Sequence, residues 1–235
     1  MSELLPPQLV IDSRMLYFGW IPADPEAVRR LLPQELQPKP NSQVFMNQYV
    51  VDRDEQTSHF GAYSLTYLGV DVSGLDVNEL VPARWWTHYW TSSAAMTNYA
   101  AKSGAPAQPG GKTELELEDG KLVATTFDGG RPIIRTTALV GPESDEYVRS
   151  HLRYITRAEG KLHSGRYPAI GRCGRDLKIT NLEFLDSSHP VYALRPRSPL
   201  EVVWGFYFTK AAFCYPGGFE VLSPAELESA AVEVV

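Results

Sequence analysis

A chain of 235 residues with 43% hydrophobic and 21% charged residues is long enough to bury one sizeable core and too apolar for disorder. Its net charge is −6 and its basic residues are scattered, with no basic run interleaved with aromatics, which argues against nucleic acid as a partner. Two cysteines, Cys173 and Cys214, share no motif, so a disulfide framework is not expected and a reducing cytoplasm is the default compartment. The N-terminus, Met1 to Pro7, is acidic and proline-broken, without the basic start and apolar stretch of a secretory signal. No window approaches the roughly 18 consecutive apolar residues of a membrane-spanning helix.

The first element in chain order is a strand over Met15 to Pro22. Asp24-Pro25-Glu26 then opens a short helix: Asp24 caps, Pro25 suits the first turn, and Glu26 favours the positive end of the dipole. Val28, Leu31 and Leu32 give it an apolar face and Pro33 stops it. Val44 to Val51, Ala62 to Val72 and Trp85 to Trp90 read as strands rich in β-branched and aromatic residues. Ser92 or Ser93 caps a helix through AAMTNYAAK, closed by Lys102 and Gly104. Leu115 to Glu118 and Lys121 to Thr126 flank Asp119-Gly120, a tight-hairpin dipeptide. Arg131 to Val140, Leu177 to Leu185 and Glu201 to Tyr215 complete the strands, and Ser223-Pro224-Ala225-Glu226 is a capping box for a last helix. The sum predicts one α+β domain over 1–235, dominated by an antiparallel, barrel-like β-sheet with flanking helices.

Four pieces carry a resemblance. Arg14 before a strand, followed by Asp24 through Pro33, resembles an opening arginine, strand and "D-x-x-A-L-R-x-x-x-P" helix. Gly61-Ala62-Tyr63 leading into Leu68 through Val72 resembles a "Y-x-E…P-V" strand. Thr91 to Gln108 has the length of a helix and loop ending in "P-K-K". Val202 through Tyr207 and Pro216 through Leu222 resemble the closing strands. In this order, from about Asp12 onward, they are similar to the acetoacetate decarboxylase family. In that family a lysine after the loop proline forms an imine with the substrate ketone, and a second lysine depresses its pKa.

The departures matter more. Pro106 is followed here by Ala107 and Gln108, Leu65 stands in place of the strand glutamate, and Asn47 or Gln48 replaces a second carboxylate. An alanine forms no imine, so the resemblance implies a scaffold that has lost its nitrogen electron sink. What it leaves is hydrogen bonding and acid–base help at an enolisable carbonyl, typically about 10²–10⁴-fold. It also implies that Arg14 faces the substrate carboxylate, since a buried guanidinium without an anion is costly. The alternative for Arg14 is a strand-start arginine paired with Asp12 or Asp24.

His88, on one strand face with Trp86 and Trp90, is the candidate acid or base; the alternative is a hydrogen-bonded core histidine. Tyr63 is either a phenolic donor to a carbonyl or a half-buried sheet tyrosine. Catalytic candidates are therefore Arg14, His88 and Tyr63, with Gln48, Leu65, Trp86, Ala107 and Gln108 as substrate contacts and Lys102 as a remote replacement amine. Five Trp and twelve Tyr suit a pocket for a large flat ligand and equally a well-filled core. The five histidines and the cysteines show no metal-ligand spacing, and no nucleophile elbow, phosphate loop or dinucleotide fingerprint is present.

The expectation is a lyase or isomerase that needs no cofactor. It takes a small-molecule keto acid or polyketide-like substrate through dehydration, cyclisation or decarboxylation in specialised biosynthesis. The competing readings are an imine-forming decarboxylase or aldolase with a relocated lysine, and a non-catalytic small-molecule binding protein. The resemblance further implies a homo-oligomer.

Overall fold

The computed structural model describes residues 4–78 and 81–231, so Met1 to Glu3 of the leader reading lie outside the described residues. Strand β1 (Gln8–Trp20) runs into helix α1 (Pro25–Arg29), which Asp24 caps by accepting from the Ala27 N–H at 2.9 Å. Strands β2 (Val44–Val51), β3 (Tyr63–Val72) and β4 (Ala83–Thr91) follow, then α2 (Ala94–Lys102), capped by Ser93. A short β5 (Ala107–Gln108) lies parallel to β4. The hairpin of β6 (Gly111–Glu118) and β7 (Lys121–Asp128) turns at Asp119-Gly120, both with positive φ. Next come β8 (Arg131–Leu139), β9 (Glu143–Ala158), β10 (Lys161–Gly174) and β11 (Lys178–Phe184). The chain ends with β12 (Val202–Tyr215), β13 (Glu220–Val221) and α3 (Pro224–Ala231), where Ser223 and Glu226 cap each other's N–H groups.

Seven strands close a barrel in the order β12-β1-β2-β3-β4-β9-β10 and back to β12. The pairs are antiparallel except β4–β9, which is parallel, so the sheet is mixed where the sequence suggested antiparallel. The exception has a topological cause. Between β4 and β9 the chain leaves the barrel to build α2 and most of a second sheet, β11-β8-β7-β6, and returns in the same direction. The β9–β10 hairpin was not anticipated. Its far half is exposed on both faces, which erases the alternation that marks a strand, and only Glu159-Gly160, both at positive φ, signals the turn.

Two cores result from alternation along the barrel strands. On β2, Val44 and Met46 face the second sheet with Leu16, Phe18, Leu68 and Ile134, while Phe45 and Tyr49 face the barrel interior with Tyr17, Tyr67 and Tyr154. A polar clamp sits between the layers. Gln48 Nε2 donates to Thr126 Oγ1 and Thr136 Oγ1 donates to Gln48 Oε1, both at 2.9 Å, and Thr126 shares a 2.7 Å bond with Thr66. Among the described residues no helix is long and apolar enough to cross a membrane.

The clamp gives a first prediction. Gln48→Leu strands the Thr136 hydroxyl in a dry layer and should cost about 1–3 kcal/mol in denaturant midpoint measurements. An unchanged midpoint would show that the clamp adds nothing.

Candidate active site

The barrel interior holds a cavity of about 620 Å³. Its charged centre is built by β3 and β4. Asp71 and Arg84 are a cross-strand pair, and Arg84 Nε donates to Asp71 Oδ1 at 3.0 Å. Both side chains are almost wholly buried. Gln43 donates to the other Asp71 oxygen at 2.5 Å, so the carboxylate accepts two hydrogen bonds. The guanidinium carbon lies 4.9, 5.1 and 4.7 Å from the ring centroids of Tyr17, Phe45 and Trp204, a cation–π enclosure. Burial opposes Arg84's charge, yet Tyr17 and Asp71 outweigh it and hold the group protonated; burial also raises Asp71, with Arg84 pulling against it.

A chain of tyrosine hydroxyls extends from this pair. Arg84 Nη1 donates to the Tyr17 hydroxyl at 2.5 Å. The Tyr154 hydroxyl lies 3.1 Å from that of Tyr17 and 2.7 Å from that of Tyr67, and Asn47 Nδ2 donates to Tyr67 at 2.8 Å. Burial pushes all three phenols above their ordinary pKa, so they are proton donors at neutral pH. Trp86 stacks on Tyr154 with centroids 4.2 Å apart. Toward the other end Tyr49 bonds Tyr63 at 2.8 Å and Tyr215 at 2.7 Å. Lys39 is the one lysine in the cavity wall among the described residues; its ammonium pairs with Asp76 at 2.7 Å and is partly exposed.

Of the residues singled out in the sequence, Trp86 lines this cavity, and so does Asn47, one of the two residues offered in place of a second carboxylate. Arg14 points the other way from Met15 and Tyr17, and its fork is filled by Asp52 at 3.0 and 2.7 Å and by the Leu115 carbonyl at 2.7 Å. Its partners are therefore Asp52 and Leu115 rather than Asp12 or Asp24, and it does not line the cavity. His88 is not on the face of Trp86. Thr87 is an extra residue in β4, since Leu68 pairs with His88 and Gly69 with Trp86. A Cβ on Gly69 would lie 1.9 Å from the Trp85 carbonyl, so this bulge depends on glycine. The bulge turns His88 outward to stack on Trp90 at 5.3 Å, with Nδ1 3.0 Å from Thr87 Oγ1.

The remaining candidates are also displaced from the wall. Tyr63 is buried behind Tyr49, and Leu65 is fully buried in the interior cluster. Gln48 belongs to the interlayer clamp. Ala107 packs against the interior cluster from β5, Gln108 beside it is exposed, and Lys102 is exposed at the end of α2.

Arg84, Asp71, Tyr17, Tyr67 and Tyr154 were missed in the sequence. The available signal was Asp71 inside the apolar run Leu68 to Val72, because a mid-strand acid buried on both sides requires a cation. Among the described residues no group of three or more His, Cys, Asp or Glu is placed to hold a metal ion.

No protein-family model matches the chain, and neither does any curated protein sequence. Solved structures do match in fold, among them acetoacetate decarboxylase and an acetoacetate decarboxylase-like enzyme. Acetoacetate decarboxylase from Legionella pneumophila superposes with a TM-score of 0.68 at 14% identity, covering 95% of this chain and 90% of that one. The enduracididine biosynthesis enzyme MppR complexed with pyruvate gives 0.63 at 14% identity, covering 94% and 91%. An acetoacetate decarboxylase-like enzyme from Sphingomonas wittichii gives 0.60 at 13%, covering 94% of both chains. At such identities the likeness establishes the fold and leaves the chemistry to the residues.

The placement of His88 yields a stability prediction. Burial, with a smaller repulsion from His189, lowers its pKa from 6.5 to about 4. A depressed histidine is neutral in the folded chain, so its contribution is complete above pH 6.5 and is lost as pH falls toward 4. Over that window the native protein should lose about 3 kcal/mol more than His88→Phe does, measured by denaturant unfolding at stepped pH. Parallel losses would remove His88 from the buried layer. Turnover at neutral pH should be unaffected.

Proposed function

We propose that the protein is an enzyme acting on an enolisable carbonyl compound, β-keto acids and β-dicarbonyls being the class, through hydrogen bonds from its own side chains. The observation that carries this reading is the hydroxyl chain anchored on Arg84. Two hydrogen bonds join the three hydroxyls of Tyr17, Tyr154 and Tyr67, and these use two of the three phenolic protons. Arg84 and Asn47 donate into the two ends, so neither end releases its proton to them. One O–H remains for a ligand, and Tyr154, in the middle of the chain and in the cavity wall, is its natural holder.

A buried phenol that accepts two hydrogen bonds, one from a tyrosine polarised by a guanidinium, is a strong donor to an oxygen that gains negative charge. An enolate oxygen is such an acceptor. It forms on loss of CO₂ from a β-keto acid, on deprotonation of the acidic carbon of a β-dicarbonyl, and on the way to dehydration or cyclisation. The one carboxylate in the cavity wall among the described residues, Asp71, is already taken by Arg84 and Gln43. Steps that need a stabilised enolate but no strong base therefore fit best.

A second reading rests on Lys39, whose place in the wall supplies an amine that could form an imine with a ketone. The test uses acetoacetate, 3-oxo-3-phenylpropanoate and 1-phenylbutane-1,3-dione, followed by CO₂ release and loss of enol absorbance. Turnover of at least one is expected, with Tyr154→Phe lowering kcat about 100-fold or more and KM changing less. Borohydride should leave the protein mass unchanged. A reduced adduct on Lys39 would replace this reading by the imine route, and tight binding without any turnover would make the protein a carrier.

A further inference from the structure

Two buried polar atoms on residues that line the cavity have no partner among the described residues: the Asn47 side-chain oxygen, an acceptor, and the Trp86 indole N–H, a donor. Asn47 is 1% exposed and Trp86 5%, so neither is satisfied by bulk solvent. The Asn47 amide is oriented by its NH₂ group, which donates to the Tyr67 hydroxyl and approaches the Met15 sulfur at 3.3 Å, leaving the oxygen over. The two atoms belong to one stretch of wall. Tyr67 touches both residues, through the Asn47 hydrogen bond and through a ring contact with Trp86 at 5.8 Å between centroids.

A buried donor and acceptor left open cost free energy unless a ligand meets both. The complement is a molecule with one hydroxyl to donate to Asn47 and one carbonyl to accept from Trp86 or the spare tyrosine proton. The wall around them is aromatic: Tyr67, Trp86 and Tyr154 contact one another, with Tyr67 and Tyr89 stacked at 14°. Flat rings pack well against an aromatic wall of this kind.

Charge is the third constraint. Arg84 is matched by Asp71, and Lys39 by Asp76. A carboxylate inserted beside them would arrive without an unspent cation. Arg149 and His151 also line the cavity, but neither is among the buried residues, so an acidic group has a place only away from the buried wall.

We infer that the buried wall of Asn47, Tyr67, Trp86 and Tyr154 recognises the uncharged hydroxyaryl-ketone end of a flat aromatic substrate. This rests on the reading of the cavity as a carbonyl site and names what the carbonyl is attached to. The test is calorimetric binding of three two-ring probes to the intact chain: 6-hydroxy-2-acetonaphthone, 2-acetonaphthone lacking the hydroxyl, and 6-hydroxy-2-naphthoate with a carboxylate in place of the ketone. The hydroxy ketone should bind about tenfold or more tightly than each of the others. Asn47→Leu, its folding checked by Tm, should erase the advantage over 2-acetonaphthone. Should the variant fail to fold, the wild-type series decides alone. Equal affinities, a tighter carboxylate, or no binding by any probe would overturn the inference. Turnover of a β-keto acid in the preceding assay would leave the proposed function standing in each of those cases.

Discussion

Arg84 and Asp71 meet at 3.0 Å in a barrel whose interior is otherwise largely aromatic, and most of the site's order can be traced to that contact. A buried charge is tolerated only when it is paired and hydrogen-bonded; removing one partner of such a pair typically costs about 3–5 kcal/mol. Here the pairing is completed on both sides, by Gln43 on the acid and by Tyr17 with three ring faces on the base. Tyr17 is thereby fixed as an acceptor, which directs its own proton along the hydroxyl chain. The ion pair thus determines how the cavity presents hydrogen, although it need not touch a ligand itself.

The fold makes this arrangement possible by separating two jobs that one β-strand normally has to share. Each barrel strand puts alternate residues toward the second sheet, where aliphatic packing and the Gln48–Thr126–Thr136 clamp hold the layers together. The other residues face inward and are released from that duty. The bulge at Thr87 breaks the alternation along β4, and it delivers Trp86 and Tyr89 to the same wall while sending His88 to the outer layer. Arg84 keeps its register with Asp71 because the bulge lies beyond both residues on β4.

The elements were largely legible in the sequence because their local signals are chemical. Asp24, Ser93 and Ser223 cap where capping residues belong, and Asp119-Gly120 turns where a hairpin needs positive φ. The site was poorly legible for two physical reasons. Face assignment along Trp85 to Trp90 assumed unbroken alternation, and a single inserted residue inverts everything beyond it. Tyr154 lies on β9, whose exposed half carries no pattern, and its partners Tyr17 and Tyr67 come from strands distant in sequence. Family likeness directed attention to Arg14, and likeness at the strand start could not say which face that side chain takes. Asp71 carried the one usable signal, which went unread: an acid within the apolar run Leu68 to Val72 requires a buried cation.

An amine in a decarboxylase site contributes by becoming a covalent electron sink, whereas a fixed array of hydroxyls contributes by being already oriented when charge appears. The second strategy works only in a dry, rigid enclosure, because mobile water would solvate the starting ketone as readily as the enolate. The tyrosines line the cavity with ring faces, and their hydroxyls are bonded to one another. The same strategy also explains why neutralised charge is useful here. An unmatched Arg84 would bind an anionic ground state tightly and gain little in the transition state, since uniform binding does not lower the barrier. On the proposed reading, with Asp71 absorbing its charge, Arg84 would act through Tyr17 and Tyr154 instead, its influence growing as the substrate oxygen becomes negative.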